Sequence, residues 1–226
     1  MAPEGVDPVP AGRPVRYGRS MPTDRTIAFF DAQFRRRTGE AALALNPFEA
    51  LALPYLVGHV LDFGCGLGNL AFAAAQRGCT VVALDASPAA IEHIESRAAA
   101  EAVSVSAALA DLRNHPVHGP YDAIVSIGLL MFFDCPTAWR VLAQLQAHVR
   151  PGGVAVVNVL VEGTTYLDMF DPQHHCLFTA DELRRRFAGW HIEHDEVSDF
   201  EAPQRSVKRF ATVIARKPAD MPGARA

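Results

Sequence analysis

Hydrophobic residues along the chain group into short runs that are typical of buried β-strands. These runs lie at residues 59–63, 80–84, 103–107, 121–127 and 154–160. They show little apolar–polar alternation, which is the pattern of strands that are covered on both faces of a sheet. The pattern therefore predicts a central sheet that lies in the interior of the domain.

Segments with helical spacing separate these runs. They lie at residues 24–37, 70–77, 88–102 and 134–149, and a further helix starts at Asn46-Pro47-Phe48-Glu49. Several begin with a capping residue followed by proline, as in Ser87-Pro88, which is a typical helix start. Strands that alternate with helices predict βαβ units, and hence an α/β fold with a parallel sheet and helices on both faces.

The alternation ends after Leu160. Thr179-Ala180-Asp181-Glu182 has the form of a capping box, and it predicts a short helix that ends near Phe187. Residues 190–197 and 210–216 then read as two strands with a charged turn between them. Because no helix separates these two strands, we expect an antiparallel hairpin at one edge of the sheet.

Length and composition favour a single domain. The chain has 226 residues, of which 50% are hydrophobic, so it can form one full core. Residues 1–22 are rich in proline and are expected to be a disordered tail, although Arg16, Tyr17 and Arg19 within it could fold over a ligand. The domain is expected over residues 23–216, and a loose end over 217–226.

Charge and hydropathy exclude several classes of partner. The net charge of −4 argues against binding of nucleic acid by bulk electrostatics. No apolar run approaches the roughly 18 residues of a membrane span, and no secretory signal is visible at the N-terminus. We therefore expect a soluble, cytoplasmic protein, as a monomer or homodimer. Its four cysteines (Cys65, Cys79, Cys135 and Cys176) are expected to be reduced thiols, with no metal site.

A glycine-rich turn follows the first predicted strand. Gly64, Gly66 and Gly68 lie after Asp62 in the spacing G-x-G-x-G, where the missing side chains allow a tight bend close to a ligand. The dinucleotide fingerprint has the different spacing G-x-G-x-x-G, so an NAD-dependent dehydrogenase is disfavoured. Asp62 would repel a pyrophosphate and attract an ammonium group. A glycine turn without any ligand remains the alternative interpretation.

Two further acidic residues follow the next two strands. Asp85 ends the second strand, where a carboxylate can accept hydrogen bonds from both hydroxyls of a ribose. Asp111 follows the third strand, where it could accept a hydrogen bond from the amine of an adenine while Leu112 packs on the ring. Each alone could be an ordinary loop carboxylate, but together with Asp62 they predict a nucleoside site.

The same segments resemble the class I S-adenosylmethionine-dependent methyltransferases. The matching segments are LDFGCGLGN (61–69), VVALDASPAAI (81–91), ALADL (108–112), YDAIVSIGLLMFF (121–133) and VRPGGVAVV (149–157). The resemblance implies a Rossmann-like, seven-stranded, mostly parallel sheet with an antiparallel last strand. It also implies S-adenosylmethionine as cofactor, held by Asp62, Gly64, Cys65, Gly66, Asn69, Asp85, Ala86, Asp111, Leu112, Ser126 and Ile127.

A finer resemblance concerns the second half of the chain. The segments 129–133, 182–190 and 209–217 are similar to the tellurite-resistance methyltransferases, which are related to the thiopurine methyltransferases. Those proteins carry a His-Arg pair before the last strand. Here the stretch 201–208 has Arg205 but no histidine, so the resemblance leaves the acceptor open.

The segment after the fourth strand is expected to border the transferred methyl group. It is apolar, which favours a small soft or anionic acceptor, such as tellurite, selenite or a thiol, that needs no general base. Met131, Phe132, Arg205 and Arg209 are the predicted substrate-pocket residues, and His174, His175 and Arg205 are weak catalytic candidates. The alternatives are an O- or N-methyltransferase of a larger metabolite with a histidine base, or a non-catalytic binding module.

Overall fold

The structure is a computed structural model that describes residues 25–36, 44–172 and 174–219. The expected tail 1–22 and most of the expected loose end 217–226 lie outside these ranges. Within them, no helix is long and apolar enough to cross a membrane.

Six helices and seven strands follow one another in the described part of the chain. The helices are α1 (Arg25–Arg36), α2 (Pro47–Ala52), α3 (Asn69–Gln76), α4 (Pro88–Glu101), α5 (Cys135–His148) and α6 (Ala180–Arg185). The strands are β1 (His59–Phe63), β2 (Thr80–Asp85), β3 (Val105–Leu109), β4 (Tyr121–Ile127), β5 (Val149–Leu160), β6 (His191–Ala202) and β7 (Ser206–Arg216). Short 3₁₀ turns cover Leu53–Tyr55, Leu130–Phe132 and Pro203–Arg205.

All seven strands form one sheet in the order β3-β2-β1-β4-β5-β7-β6. The first five pair in parallel, whereas β7 is antiparallel to both β5 and β6. The predicted fold class and the predicted edge hairpin are thereby confirmed. The order reverses direction at β1, and in such sheets the crevice at this point, outside the carboxyl ends of the strands, is where ligands bind.

Helices pack on both faces of the sheet and divide the core in two. Leu61 and Ile124 face one cluster, which includes side chains of α5 and α6, such as Leu142. Val60 and Val125 face the other cluster, which is formed with α2, α3 and α4. This alternation explains why the inner strands are apolar at nearly every position, since both of their faces are covered.

Four strands differ in extent from the sequence prediction. β3 lies at 105–109 rather than 103–107, and as an edge strand it is partly exposed, so its apolar signal is weak. β5 begins at Val149 because this residue already pairs with Tyr121, ahead of a register shift. The hairpin strands β6 and β7 extend to a three-residue turn, where Gln204 and Arg205 both have positive φ.

The expectation of four reduced cysteines is wrong for two of them. Cys135, at the first residue of α5, forms a disulfide with Cys176, in the segment between β5 and α6. Cys65 and Cys79 are buried free thiols. The two bonded residues are separated by 41 positions, and only the packing of the 174–178 segment beside the start of α5 brings their Cα atoms to 4.8 Å.

The described chain continues in regular contacts beyond residue 216, where the sequence predicts a loose end. The Lys217 backbone N–H donates to the Gly153 carbonyl at 2.8 Å. Its Nζ donates to the carbonyls of Gln146 and Val149, at the end of α5. Lys217 therefore fixes the last strand against the carboxyl end of α5, where the helix dipole favours a cation.

We expect reduction of the Cys135–Cys176 disulfide to lower the free energy of unfolding by roughly 3–4 kcal/mol, because the bond closes a long loop in the unfolded chain. The measurement is urea denaturation with and without dithiothreitol. The double variant Cys135→Ser/Cys176→Ser is the control, and its midpoint should not respond to the reductant. If the urea midpoint of the wild type is the same with and without dithiothreitol, the bond is not formed in solution.

Candidate active site

A cavity of about 330 Å³ lies at the carboxyl ends of β1, β2 and β4, where the strand order reverses. Most of the predicted cofactor residues lie in its wall. These are Asp62, Gly64, Cys65, Gly66, Asn69, Asp85, Ala86, Asp111, Leu112 and Ile127. Separate strand ends thus bring residues from 62 to 127 to one surface, as the parallel topology requires.

The glycine turn is fixed to the neighbouring strand. The backbone N–H groups of Gly64 and Cys65 donate to the Leu84 carbonyl at 2.8 and 3.1 Å, so the turn bends sharply over the end of β2. Gly64 has φ 88° and Gly66 has φ 53°. A Cβ at Gly64 would also lie 2.8 Å from Leu129, so glycine is needed there for both backbone conformation and space.

Asp85 connects the glycine turn to the start of α4. One carboxylate oxygen accepts the Gly66 N–H at 2.9 Å, and the other accepts the Ser87 N–H at 2.8 Å. Burial raises the pKa of Asp85, although these backbone hydrogen bonds oppose the increase. Its remaining lone pairs are available to a ligand in the cavity.

Asp62 is a buried carboxylate in the same cavity. Asp62 is 6% exposed. Burial, followed by the negative charges of Glu49 and Asp85, raises the pKa of Asp62 to about 8. Burial also raises the pKa of the neighbouring Cys65 thiol well above its usual range, so this thiol stays protonated. A cation bound beside Asp62 would favour its ionised form and lower this pKa.

Glu49 is a cavity residue that the sequence analysis missed. It is the third residue of α2, and its Oε2 accepts the Asn46 N–H at 2.7 Å in a capping box. The sequence predicted this helix start correctly. The sequence did not predict that Glu49 also lines the cavity, because only the tertiary structure shows that α2 begins beside the glycine turn.

Asp111 lies in the cavity wall, but its side chain also closes a local turn. Its Oδ1 accepts the Arg113 N–H at 3.2 Å, and its Oδ2 accepts from the Asn114 side chain at 3.0 Å. Leu112 is buried beside it. Arg113 also lines the cavity, and its guanidinium lies 5.3 Å from the centre of the Phe133 ring.

Helix α1 covers the cavity, which the sequence analysis did not predict. Its side chains Thr26, Ile27, Phe30, Gln33 and Phe34 line the cavity wall. A Cβ at Gly66 would lie 3.4 Å from the Phe34 ring, so the helix approaches the glycine turn closely. The spacing of Ile27, Phe30 and Phe34 predicted a helix with one apolar face, but not the partner of that face.

An apolar wall, formed by Leu129, Phe132 and Phe133 together with Phe30 of α1, closes one side of the cavity. The Phe30 and Phe132 rings meet edge to face, with centroids 5.1 Å apart. Phe132 is therefore in the predicted place. Met131 is buried in the core instead, and Ser126, which is fully buried in β4, does not reach the cavity. Both side chains point into the sheet–helix interior.

The predicted basic and catalytic residues of the second half do not line the cavity. Arg205 is exposed in the hairpin turn, and Arg209 on β7 forms two hydrogen bonds with Asp199 at 2.8 and 2.9 Å. His174 is exposed and lies 3.5 Å from Asp171. His175 stacks on Phe170, behind the apolar wall. These residues follow the carboxyl end of β5 or pair beside it, but their side chains do not reach the cavity wall.

The charges in the cavity suit a cationic ligand. Among the described residues, its wall contains four acidic side chains, from Glu49, Asp62, Asp85 and Asp111, and one guanidinium, from Arg113. These acidic side chains would repel a pyrophosphate, whereas they would attract the ammonium and sulfonium groups of S-adenosylmethionine. Together with the glycine turn, this donor set fits that cofactor. Among the described residues, no group of His, Cys, Asp or Glu is arranged to hold a metal ion.

Comparison with known proteins agrees with this geometry. Residues 60–153, from β1 to the start of β5, match a family model described as a methyltransferase domain. Over these residues the chain is similar to a methyltransferase domain, and its fold is that of the class I S-adenosylmethionine-dependent methyltransferases. The cofactor of this domain is S-adenosylmethionine, as the family resemblance of its sequence implied.

Relatives of the methyltransferase domain include two curated bacterial proteins. A probable S-adenosyl-L-methionine-dependent methyltransferase, TehB from Haemophilus influenzae, is 27% identical over 165 residues, which are 70% of this chain and 57% of TehB. Hemagglutinin 1 of Eikenella corrodens is 30% identical over 167 residues, which are 70% of this chain and 54% of that protein. The chain thus spans little more than half the length of these relatives.

Solved structures share the fold of the methyltransferase domain. The crystal structure of TehB from Haemophilus influenzae has a TM-score of 0.67 at 21% identity, and it covers 85% of this chain and 67% of TehB. A protein that converts a disulfide bond into a thioacetal group during echinomycin biosynthesis has a TM-score of 0.62 at 25% identity, covering 86% and 94% of the two chains.

Because of Asp62, the free energy of unfolding of the methyltransferase domain should decrease as the pH rises from 5 to 8. The pKa of this carboxyl is about 8 in the folded protein and near 3.8 ordinarily. In this window the folded protein therefore retains a proton that the unfolded chain releases. The full contribution is present below pH 4 and is lost as the pH rises toward 8, at on the order of 1 kcal/mol per pH unit.

Urea denaturation at pH 5.5, 6.5 and 7.5 tests this expectation on the wild type and on Asp62→Asn. The amide cannot ionise, so the free energy of unfolding of the variant should decrease less steeply with pH. Asp199→Asn, an exposed carboxylate on the hairpin, is the matched control and should keep the wild-type slope. Parallel curves for wild type and Asp62→Asn would contradict the assignment.

Proposed function

We propose that the protein transfers the methyl group of S-adenosylmethionine to a small acceptor with a soft nucleophile, of which a thiol is the typical case. The observation that carries the proposal is the division of the cavity into two halves. One half has the glycine turn and four carboxylates, and the other is the apolar wall. A cationic cofactor fits the first half, and a weakly solvated acceptor fits the second.

Residues of the acidic half are proposed to bind the cofactor. Asp85 accepts hydrogen bonds from the ribose hydroxyls, and Asp111 and Leu112 border the adenine. Asp62 and Glu49 attract the ammonium group, while Gly64 and Gly66 allow the methionine part to lie against the backbone. Each of these residues lies in the cavity wall, so the set is spatially consistent with one extended ligand.

The apolar wall is proposed to hold the acceptor in line with the methyl group. The cofactor supplies a methyl group on a positively charged sulfur, and transfer disperses that charge. Phe30, Leu129 and Phe132 exclude water and restrict the acceptor to a few orientations, which lowers the entropic part of the barrier. No histidine, lysine or tyrosine is among the described residues that line the cavity. A thiol suits this wall, because its sulfur bonds to the methyl carbon as the bond to the cofactor's sulfur breaks. Its proton is weakly held and passes to solvent, so no protein base is needed.

Two relatives bear on the reaction, and one of them supports a sulfur substrate. The echinomycin protein, at 25% identity, acts on a disulfide bond, which presents sulfur to the enzyme. TehB, at 27% identity, is a probable S-adenosylmethionine-dependent methyltransferase. The resemblance to tellurite-resistance proteins noted in the sequence points in the same direction.

The position of the arginines favours a thiol over an oxyanion such as tellurite or selenite. Arg205 and Arg209 were predicted to bind an anionic acceptor, but neither lines the cavity, and Arg209 is engaged by Asp199. Arg113 does line the cavity, where its guanidinium lies 5.3 Å from the centre of the Phe133 ring and donates to the Phe132 carbonyl at 3.5 Å. An anion at the apolar wall would thus have this guanidinium on one side but the acidic half of the cavity on the other, whereas a neutral thiol needs no cation.

We expect the wild type to bind S-adenosylmethionine, and Asp85→Ala to raise the dissociation constant about a hundredfold or more. Two hydrogen bonds to a charged acceptor each contribute roughly 1.5–3 kcal/mol, and the Gly66 turn loses its anchor as well. Isothermal titration calorimetry measures the change. Asp199→Ala, an exposed carboxylate on the hairpin, is the control and should bind as the wild type does. Equal affinity of Asp85→Ala and wild type would contradict the assigned role.

An acceptor screen distinguishes the possible reactions. It compares an aryl thiol, the phenol of the same shape, tellurite and selenite, and it measures S-adenosylhomocysteine. We expect the thiol to react at least about tenfold faster than the phenol at pH 7.5, because a phenol with a pKa near 10 requires a base. The oxyanions should react more slowly than the thiol. Phe132→Ala should slow the thiol reaction, whereas His175→Ala should not.

The other outcomes of the screen identify the alternatives. Faster turnover of the phenol, with a pH dependence that His175→Ala removes, would indicate a base-dependent O-methyltransferase. Turnover of tellurite in preference to the thiol would show that an anion is the acceptor. Cofactor binding without S-adenosylhomocysteine from any acceptor would indicate a non-catalytic binding module.

A further inference from the structure

Asp31 connects the covering helix α1 to the first turn of α4. Its Oδ1 accepts a hydrogen bond from the Ser87 hydroxyl at 2.7 Å and another from the Ala89 N–H at 3.0 Å. The Ser87 hydroxyl also accepts the Ala90 N–H at 3.2 Å, as the capping residue of α4. One carboxylate from a distant part of the chain therefore completes the hydrogen bonding of this helix end.

The contact continues directly to the glycine turn. The Ser87 backbone N–H donates to Asp85, whose other oxygen accepts the Gly66 N–H. A sequence of hydrogen bonds thus runs from Asp31 of α1 through Ser87 and Asp85 to Gly66. Ser87 is 2% exposed, so the middle of this sequence is shielded from water, which increases its strength.

Asp31 lies on a different side of α1 from the residues that line the cavity. Phe30 and Phe34 contact the cavity, while Asp31 faces α4. Burial acts to raise the pKa of Asp31, but the hydrogen bonds from Ser87, Ala89 and Arg35, together with the charge of Arg35, outweigh it and hold the pKa below its usual value. The side chain is therefore ionised at neutral pH.

We propose that Asp31 is a positioning residue that holds α1 over the cofactor cavity and so determines how tightly S-adenosylmethionine is retained. The inference rests on the proposed function, since it assumes that this cavity holds the cofactor. Asp31 itself does not line the cavity and acts through Phe30 and Phe34. When α1 is bound to α4, these two rings cover the glycine turn; when it is not, that side of the cavity is open.

The expected effect is on affinity rather than on chemistry. If only a fraction of the molecules has α1 in place, the apparent dissociation constant rises in inverse proportion to that fraction. Once the cofactor is bound and α1 has closed on it, the apolar wall is the same in wild type and variant. Substitution of Asp31 should accordingly change KM for the cofactor and leave kcat nearly unchanged.

The test compares Asp31→Ala, Asp31→Asn and wild type in the full chain. For Asp31→Ala we expect a rise of about tenfold in the dissociation constant of S-adenosylmethionine, the typical effect of losing a hydrogen bond to a charged group. Asp31→Asn retains an oxygen that can accept from Ser87 and Ala89, so it should recover part of the affinity. The kcat at saturating cofactor should remain within about twofold.

Trypsin provides a readout of the contact that does not depend on the cofactor. Arg35 and Arg36 in the last turn of α1 are cleavage sites, and a helix that has separated from α4 is cut faster than a bound one. We expect faster cleavage of α1 in Asp31→Ala than in wild type, both with and without S-adenosylmethionine. Adding the cofactor should slow cleavage of the wild type further.

Arg35→Gln is the matched control. The Arg35 side chain is 58% exposed and pairs with Oδ2 of Asp31 at 2.9 Å, whereas Ser87 and Ala89 donate to Oδ1. Exposed ion pairs contribute little, so its dissociation constant should stay within about twofold of the wild-type value. This variant separates the hydrogen bonds to Ser87 and Ala89 from the exposed ion pair on α1.

The outcomes separate this inference from the proposed function. Unchanged affinity and unchanged cleavage in Asp31→Ala would overturn the role of Asp31, and so would a fall in kcat equal to the rise in KM. A wild type that does not bind S-adenosylmethionine would instead overturn the proposed function. In that case the cleavage without cofactor still decides whether Asp31 holds α1 on α4.

Discussion

The hydrogen bonds that Asp85 accepts from Gly66 and Ser87 are the constraint on which the site depends. They connect the end of β2 to the glycine turn after β1 and to the start of α4. Without them the turn would lack a fixed position relative to the second strand, and its positive φ angles would have no compensation. Asp31 extends the same set of bonds to α1. The shape of the cavity is thus determined by one buried carboxylate and its backbone donors.

The cavity combines an acidic half and an apolar half, and burial of charge in the acidic half lowers the stability of the fold. Burial of Asp62 beside Glu49 and Asp85 is unfavourable without a cation, which the raised pKa of Asp62 expresses. A cationic cofactor would recover that cost on binding, so the same charges that lower stability would favour the ligand. The apolar wall gives no such charge and leaves the acceptor to be selected by shape and softness.

Much of the fold followed from the sequence, and the rest needed contacts between distant segments. The apolar inner strands, the capped helices and the terminal hairpin were predicted because period and capping are local properties. The start of β5 and the extent of β3 were not, since pairing across the sheet decides them. The disulfide was missed because cysteine spacing does not show that the 174–178 segment returns to the start of α5.

The sequence by itself determined which residues stand at the ends of the parallel strands. Asp62, Asp85 and Asp111 meet at one surface because parallel strands all end at the same edge. Only the tertiary structure decided what covers that surface. The covering residues on α1 and α2 come from helices whose apolar faces specify no particular partner. His175 and Arg209 lie near the carboxyl end of β5 but outside the cavity wall, which depends on the path of the segments after β5. Helices and strands follow from the spacing of nearby residues. The surface on which a helix packs depends instead on contacts between segments that are distant in the sequence.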